Sequence, residues 1–437
     1  MPATEVATPH TCPDCAAVLD VDERFPAWCP ACEWNLSTEA APVAQRKRGE
    51  KRRQRREAAR KRAVRARVEK VYESLVSDAP RRSDGAWLAA VAIAGLIHLV
   101  TLCVLAGSVA LLSTGTWPLR VIGLLGLAVA FMLRPRFGRL RHDETSLRRS
   151  DAPALYGLAD RVAAAVGTRP VDMIRVTDDF NAGFGRFGLR RRSVLRLGLP
   201  LWVPLTPQQR VALLGHEFGH DVNGDHRSRL WLRTALDALI EWYHLTTPDR
   251  SDAWSGGGFI GGVASLVTAP LLWVVNRLVL GVLLLLDRLT TRSGQGAEYR
   301  ADGLAAEVGS TAAAKGLLEM LLLKQSAETV MMRFRTLPRT RRGPVPTDRR
   351  PAVDLWTELT EQLASLPPLE RERRLRLSAL DLGAVDSTHP PTHLRISMVD
   401  RLPAREPTVT VTAGESAAIE AELAAARERV VRGLLAI

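Results

Sequence analysis

Three long apolar stretches interrupt a chain that is otherwise rich in charged residues. Residues 86–113 carry no charged side chain, and residues 116–133 carry one, Arg120, near one end. Both have the composition of a membrane-crossing helix, because a bilayer core about 30 Å thick needs roughly 20 consecutive apolar residues. The pattern therefore predicts a transmembrane hairpin over residues 86–134.

The third apolar block, residues 259–286, is interrupted by Asn276 and Arg277. The amphipathic segment before it contains four ionisable side chains, which would face a polar cavity if that segment crossed a membrane. Three arrangements are open for the whole insert, at about residues 229–290. The block turns back as a hairpin near Pro270, the segment before it is itself one crossing, or the insert lies at the membrane interface.

Most of the net positive charge of the chain lies in one segment. Residues 46–70 contain fourteen Lys or Arg and three Glu, a local charge of +11 in a chain of +13. We interpret residues 41–85 as a basic juxtamembrane stalk that binds anionic lipid headgroups. Nucleic-acid binding is the alternative. It is disfavoured because Tyr72 is the one aromatic residue nearby.

Lys and Arg are abundant on both outer flanks of the predicted hairpin, before residue 86 and again over residues 134–142. The loop between its helices, residues 112–117, is short and uncharged. By the positive-inside rule both flanks are cytoplasmic. We therefore expect a multi-pass protein of the plasma membrane, with its N-terminus and the segment after the hairpin on the cytoplasmic side.

Four cysteines near the N-terminus form the pairs CPDC and CPAC, thirteen residues apart. This spacing is typical of a small zinc ribbon, which we place in residues 1–40, with Cys12, Cys15, Cys29 and Cys32 as ligands of one structural Zn²⁺. Disulfide pairing is the alternative, and a reducing cytoplasmic side disfavours it. The fifth cysteine, Cys103, lies within the first apolar stretch and is interpreted as an inert packing residue.

The string HEFGH at residues 216–220 is the strongest chemical signal in the chain. On a helix, His216 and His220 lie on one face and can bind a single Zn²⁺. Glu217 projects beside them, where it can take a proton from an attacking water molecule. The string thus predicts a zinc-dependent hydrolytic site.

The residues around this string predict the helix that such a site needs. Thr206 as N-cap and Gln209 three residues later form a capping box. Gly215 and Gly219 each cost about 1 kcal/mol of helix propensity relative to Ala. Two such residues beside the histidines indicate a close approach of another backbone.

A catalytic zinc site takes three protein ligands, so a third one is required. Glu298 is one candidate, on a predicted helix where Asp302, one turn later, could accept a hydrogen bond from a ligand histidine. His226 is the other, at a spacing similar to that of the metzincin string. The residues alone leave both candidates open.

Four ordered motifs together resemble the HtpX-like membrane metallopeptidases, relatives of the CAAX prenyl endopeptidase. They are DFNAGFGRFGL, HEFGHDVNGD, EYRAD and THPPTHLRI, within about residues 150–400. The resemblance implies that Glu298 is the third zinc ligand and that Asp302 orients a ligand histidine. It also implies that the segment beginning Asn181, Ala182 and Gly183 docks the substrate backbone, and that His389 or Arg395 lies near the metal and assists catalysis.

We therefore expect a mainly α fold, an integral membrane zincin-type metallopeptidase with a small edge β-sheet and an N-terminal zinc ribbon. The peptidase domain is placed in residues 135–400 and a C-terminal helix in residues 401–437. The expected function is hydrolysis of protein or peptide substrates at the cytoplasmic side, in a role such as membrane protein quality control. It would use one catalytic and one structural Zn²⁺. The alternative is a non-catalytic membrane-tethered adaptor whose ribbon recruits a protein or a nucleic acid.

Overall fold

The chain folds into two compact units in the computed structural model. The first comprises Met1–Asp78, Leu140–Asn223 and Glu298–Ile437, and the second comprises Ala79–Arg139 and Gly224–Ala297. The structure describes residues 10–37, 48–76, 85–132, 134, 142–187, 191–222, 226–247, 259–336, 354–380 and 389–436.

The described residues are mainly helical, as the sequence predicts, with two small sheets. The strands are β1 (His10–Thr11), β2 (Val18–Leu19), β3 (Ser146–Leu147), β4 (Met173–Thr177), β5 (Ala182–Phe187) and β6 (Arg192–Gly198). The helices are α1 (Arg48–Val76), α2 (Gly85–Thr114), α3 (Trp117–Met132), α4 (Pro153–Val166), α5 (Leu199–Trp202), α6 (Pro207–Val222), α7 (His226–Thr246), α8 (Phe259–Gly309), α9 (Thr311–Leu321), α10 (Lys324–Thr336), α11 (Leu355–Ala364), α12 (Pro368–Leu380), α13 (Thr392–Val399), α14 (Ala413–Glu422) and α15 (Ala424–Ala436).

The larger sheet has the strand order β3-β4-β6-β5, which puts β5 at one edge. Strand β4 pairs with β6 in parallel, and the other two pairings are antiparallel. Helices α4 and α6 belong to the same hydrophobic core as β4 and β6, a core that includes Tyr156, Trp202 and Phe218. The sheet and this core hold the long helix α6 in place.

Helix α6 begins with the predicted capping box. The backbone N–H of Gln209 donates to Thr206 Oγ1 at 3.3 Å, and that of Thr206 donates to Gln209 Oε1 at 3.0 Å. These two bonds satisfy donors that a helix leaves unpaired at its first turn. The start of the metal-binding helix is therefore set locally.

The predicted single C-terminal helix is wrong, because α14 and α15 are two helices that meet at Leu423. Leu423 is buried in the main core. The Glu422 carboxylate before it accepts hydrogen bonds from the first backbone N–H groups of α4, those of Ala154 and Leu155, at 2.7 and 2.9 Å. Burial of Leu423 and this long-range cap explain why the chain bends there.

In the second unit, α2, α7 and α8 share a hydrophobic core, and α2 packs along α3. The hairpin considered near Pro270 is wrong, since α8 runs without a break from Phe259 to Gly309 with Pro270 inside it. One proline inside a helix costs about 3 kcal/mol, and α8 contains Pro270 without ending there. Among the described helices, α2 is the one long and apolar enough to cross a membrane, and α3 is apolar but has 16 residues.

The predicted stalk is solvated along part of its length at most. In the C-terminal half of α1, Val68 is buried together with Tyr299 and Leu394 in the first unit. The sequence reading missed this contact because the basic residues dominate the composition of the segment. Yet Val64, Val68 and Leu75 lie on one helical face, a stripe that predicts packing.

The cysteine-rich segment packs on α12. The Arg376 guanidinium donates to the carbonyl of Pro30 at 2.7 Å, and that of Arg373 donates to the carbonyl of Leu36 at 3.1 Å. Both arginines satisfy backbone acceptors that the small segment cannot pair by itself. The N-terminal segment is thus part of the first unit.

Candidate metal centre

Helix α6 and the last turns of α8 pack with their backbones in close contact. A Cβ on Gly215 would overlap the side chain of Val308, and a Cβ on Gly219 would lie 3.0 Å from the Cα of Ala301. The two glycines therefore provide the close backbone approach that the sequence indicated. This packing brings the stretch of α8 that begins with Glu298 against the histidines of α6.

Three side chains from α6 and α8 converge on one point. His216 Nε2 lies 3.3 Å from His220 Nε2. The Glu298 carboxylate oxygens lie 3.6 Å from His216 Nε2 and 3.4 Å from His220 Nε2. These donor atoms form a compact triangle, and the side chain of Glu298 is 5% exposed.

The donor set and its spacing fit a zinc ion. Ligands at about 2.0–2.1 Å from a tetrahedral ion lie about 3.3–3.4 Å from one another, which is close to the separations found here. Two imidazoles and a carboxylate are also ligands typical of catalytic zinc, with the fourth position left for water. His216, His220 and Glu298 could therefore hold Zn²⁺.

Asp302 and Arg395 form a buried pair behind His216. His216 Nδ1 lies 2.9 Å from Asp302 Oδ1, so its N–H donates to the carboxylate and leaves Nε2 to face the other donors. Arg395 donates to both oxygens of Asp302, from Nε at 2.9 Å and from Nη2 at 2.7 Å. The resemblance implied this partner for a ligand histidine, and the distances agree with it.

The charges around the site change the proton affinities of both buried carboxyls. Burial raises the pKa of Glu298, but the hydrogen bond with His389 and the charge interactions with His216 and Arg395 outweigh burial and lower the pKa to about 2. Burial likewise raises the pKa of Asp302, and Arg395 outweighs it and holds that pKa well below its usual range. Both groups are therefore anions at neutral pH, as a zinc ligand and its orienting partner require.

Glu217 lies beside the donor triangle and is not part of it. It is 8% exposed, and burial raises the pKa of its carboxyl above the ordinary value. The backbone of Phe184, on the edge strand β5, is close enough to this carboxyl to lower its pKa in part. The arrangement fixes a buried base between the metal ligands and the edge of the sheet.

His389 and Arg395 both lie near the site, as the resemblance implied, but their surroundings differ. His389 Nδ1 lies 3.1 Å from Glu298 Oε2, and its side chain is 52% exposed. Arg395 is 5% exposed, and its guanidinium binds Asp302. His389 is therefore placed to meet a substrate, whereas Arg395 is placed to hold Asp302.

The segment beginning Asn181, Ala182 and Gly183 enters β5 at the edge of the sheet. The carbonyl of Asn181 accepts a bond from the backbone N–H of Gly198, at 2.9 Å, on the neighbouring strand. In an antiparallel pair the bonded residues alternate, so Ala182 and Phe184 direct their backbone groups away from β6. An outward N–H of Phe184 agrees with the effect of this backbone on the pKa of Glu217.

Sequence reasoning missed the pair that ties β5 to α6. Arg186 Nε donates to Asp221 Oδ1 at 2.8 Å, directly after the HEFGH string. Asp221 is buried, and Thr168 Oγ1 also donates to it. The available signal was one basic residue, Arg186 in DFNAGFGRFGL, and one acidic residue, Asp221 in HEFGHDVNGD.

The alternative third ligand, His226, begins α7, and its side chain lies outside the described residues. Among the described residues, the group here that could hold a metal ion consists of His216, His220 and Glu298.

The four N-terminal cysteines also converge on one point. Cys12 Sγ lies 3.5 Å from Cys32 Sγ, and Cys15 Sγ lies 3.6 Å from Cys29 Sγ. A disulfide would require about 2.0 Å, whereas tetrahedral zinc–thiolate bonds of about 2.3 Å separate sulfurs by roughly 3.8 Å. The cluster therefore fits the predicted structural zinc site.

Comparison with known proteins gives one match. Residues 155–402, more than half of the chain, match the family model described as Peptidase family M48. Neither the curated proteins nor the solved structures yield a match. The matched range contains the donor triangle, Glu217, Asp302, His389 and Arg395, and it leaves out the cysteine cluster and α1.

Proposed function

This chain belongs to peptidase family M48, a family of zinc metallopeptidases, and on that premise we propose that it is a zinc-dependent endopeptidase acting on protein substrates. The observation that carries the proposal is the convergence of His216, His220 and Glu298 beside a buried Glu217. Every side chain that the chemistry needs is in place, which weighs against the alternative of a non-catalytic adaptor.

In the proposed reaction the chain holds Zn²⁺ through His216, His220 and Glu298. When bound there, the ion supplies a Lewis acid that activates water and polarises the substrate carbonyl. Glu217 takes the proton of the attacking water and passes it to the leaving amine. His389, half-exposed beside Glu298, donates a hydrogen bond to the oxygen that gains charge.

Arg395 acts differently from His389 in this proposal. Its guanidinium keeps Asp302 ionised, and Asp302 in turn keeps the Nδ1 proton of His216 in place. Nε2 of His216 is then the nitrogen with a lone pair for the metal. Arg395 thus orients a ligand without touching the substrate.

The substrate is proposed to bind as an added strand beside β5. The outward backbone groups of Ala182 can pair with an extended peptide. The backbone of Phe184 lies close to Glu217, so a peptide paired with β5 would lie close to the base. Recognition through the backbone tolerates many sequences, which suits an enzyme of protein quality control.

We propose a multi-pass location in the plasma membrane with the metal centre on the cytoplasmic side. M48 peptidases are often membrane-bound, and α2 is apolar enough to cross a bilayer. The basic residues over 46–70 would bind anionic lipid headgroups on the cytoplasmic face.

Replacing Glu298 by Ala is expected to remove the zinc of the peptidase site and to abolish casein hydrolysis, because two imidazoles alone bind zinc weakly. His226→Ala is expected to retain both. The measurement is zinc content by elemental analysis, together with casein turnover before and after chelation, on detergent-purified protein. Loss of zinc from the His226 variant, with Glu298→Ala still loaded, would reverse the assignment of the third ligand.

Replacing Cys29 by Ser is expected to lower the zinc content from about two ions per chain to about one, since a closed Cys₄ site needs all its thiolates. The cysteine-rich segment is then expected to lose its fold, because so short a segment cannot build a core without the metal. Limited proteolysis within residues 10–37 reports that loss. Cys103→Ser is the matched control, and an unchanged zinc content in the Cys29 variant would argue against the ribbon.

A further inference from the structure

The C-terminal half of α1 packs against α8, which carries the donor Glu298, and against α13, which carries Arg395. Val68, Tyr299 and Leu394 are 3%, 7% and 9% exposed and form one buried cluster. Tyr299 follows the third donor, Glu298, and Leu394 precedes Arg395 in the sequence. Helix α1 therefore contacts the backbone neighbours of two residues that build the site.

One side chain of α1 makes polar contacts within this cluster. The hydroxyl of Tyr72 lies 2.8 Å from Ser397 Oγ, and Arg401 Nε donates to it at 3.2 Å. Because the phenol oxygen accepts from Arg401, its own proton is available for Ser397. The ring of Tyr72 lies 5.9 Å from that of Tyr299, so a single residue touches α13, the chain after α13, and α8.

Helix α13 depends on such neighbours for its orientation. It has eight residues, and so short a helix has little stability of its own. Ser397 and Arg395 are two positions apart, which places them on nearly opposite faces. A contact that holds Ser397 from outside therefore sets how deeply Arg395 reaches towards Asp302.

We infer that Tyr72 is a positioning residue for the metal centre, acting through α13 on Arg395 and through Tyr299 on Glu298. The inference rests on the proposed function, and it adds to the family's site a part from outside the matched residues 155–402. Helix α1, which contains most of the basic residues over 46–70, thereby has a second role besides its proposed attraction to lipid headgroups.

The test replaces Tyr72 by Phe in the full-length protein, which keeps the ring and removes the hydroxyl. We expect kcat to fall about 3- to 10-fold with KM nearly unchanged, since displacements near 1 Å at a site cost up to about 100-fold. Zinc release to a chelator is expected to accelerate by a similar factor, and amide hydrogen exchange over residues 392–399 to rise.

Tyr156→Phe is the matched control. Tyr156 is buried, donates to the carbonyl of Leu147 at 2.9 Å and accepts from the N–H of Ile174 at 2.9 Å, away from the metal centre. Its loss is expected to lower the melting temperature and to leave kcat and zinc release within about twofold of wild type. If Tyr72 had a purely structural role, Tyr72→Phe would likewise lower the melting temperature and leave kcat and zinc release within about twofold of wild type.

Ser397→Ala is expected to reproduce the Tyr72→Phe effects, and the double variant to add less than about twofold, because both changes break one contact. Unchanged zinc release and unchanged exchange over α13 in Tyr72→Phe would overturn the inference. If the wild-type protein cleaves nothing, the proposed function fails, but zinc release and hydrogen exchange still decide the role of Tyr72.

Discussion

Replacing Glu217 by Gln is expected to slow peptide hydrolysis by about 10²- to 10⁴-fold while the zinc content stays at its wild-type level. The amide has nearly the same shape as the carboxylate but cannot accept a proton. Glu217 is outside the donor triangle, so its loss leaves His216, His220 and Glu298 in place. The measurement is initial rate of casein or peptide cleavage, normalised to bound zinc.

The matched control is Glu319→Gln on the exposed face of α9, which removes the same charge from a helix of the same unit. It is expected to retain wild-type turnover. Hydrolysis by the Glu217 variant at more than about a tenth of the wild-type rate would mean that another group accepts the proton. Loss of zinc from that variant would instead mean that Glu217 has a role in binding the metal.

Replacing Asp302 by Ala is expected to destabilise the protein by about 3–5 kcal/mol, because it removes the carboxylate that accepts two hydrogen bonds from the buried Arg395 guanidinium. Asp302 is 3% exposed and Arg395 is 5% exposed, so water cannot take over the lost bonds. Zinc affinity is expected to fall about 10- to 100-fold as well, since His216 loses its hydrogen-bond acceptor. Thermal unfolding in detergent and competition with a chelator measure the two effects.

Two further variants separate these effects. Asp302→Ala combined with Arg395→Met is expected to recover most of the stability, because an apolar replacement removes the unpaired charge, while zinc affinity stays low. Asp400→Ala breaks the exposed pair of Lys315 and Asp400, 2.8 Å apart, and is expected to cost less than about 1 kcal/mol. Equal losses of stability in Asp302→Ala and Asp400→Ala would contradict a structural role for the buried pair.

The pKa of Asp302 gives this stabilisation a defined pH dependence. The folded-state pKa lies below the unfolded-state value of about 3.9. Stability from the pair is therefore fully present above about pH 4 and is lost as the pH falls further, through the folded-state pKa.

The local part of the site follows from the sequence, and the long-range part does not. HEFGH and its capping box lie within fifteen residues, so helix periodicity is enough to place both histidines and Glu217. Glu298 lies far along the chain, and the residues alone could not separate it from His226. That choice required a family resemblance, because only tertiary packing brings α8 against α6.

The clearest misreadings concern segments whose composition conceals their packing. Residues 46–70 are so basic that a solvated stalk is the natural interpretation, yet Val68 is buried and Tyr72 bonds to Ser397. The apolar residues Val64, Val68 and Leu75 on one face of the helix indicated this packing. The high charge of the segment nevertheless dominated its interpretation. Near the C-terminus, periodicity predicted one helix. The residues around Leu423 do not indicate that Glu422 caps the distant helix α4.

The apolar pattern also did not predict that α8 is one long, continuous helix. Pro270 made a hairpin one of the three arrangements that the sequence left open, and Asn276 and Arg277 interrupt the apolar block. The amide of Asn276 instead donates to the carbonyl of Tyr243, at 3.1 Å, on α7. A polar residue that appears to interrupt an apolar helix here joins two helices of the second unit.

The interlocked backbones at Gly215 and Gly219 imply that the two metal centres assemble in opposite orders. Around His216 the close packing of α6 on α8 and the buried pair of Asp302 and Arg395 hold the donor side chains, so this part of the chain is expected to fold before it binds zinc. In the cysteine-rich segment, metal binding and folding must occur together. A cell short of zinc would then accumulate chains with an intact but idle catalytic half and an unformed N-terminal module.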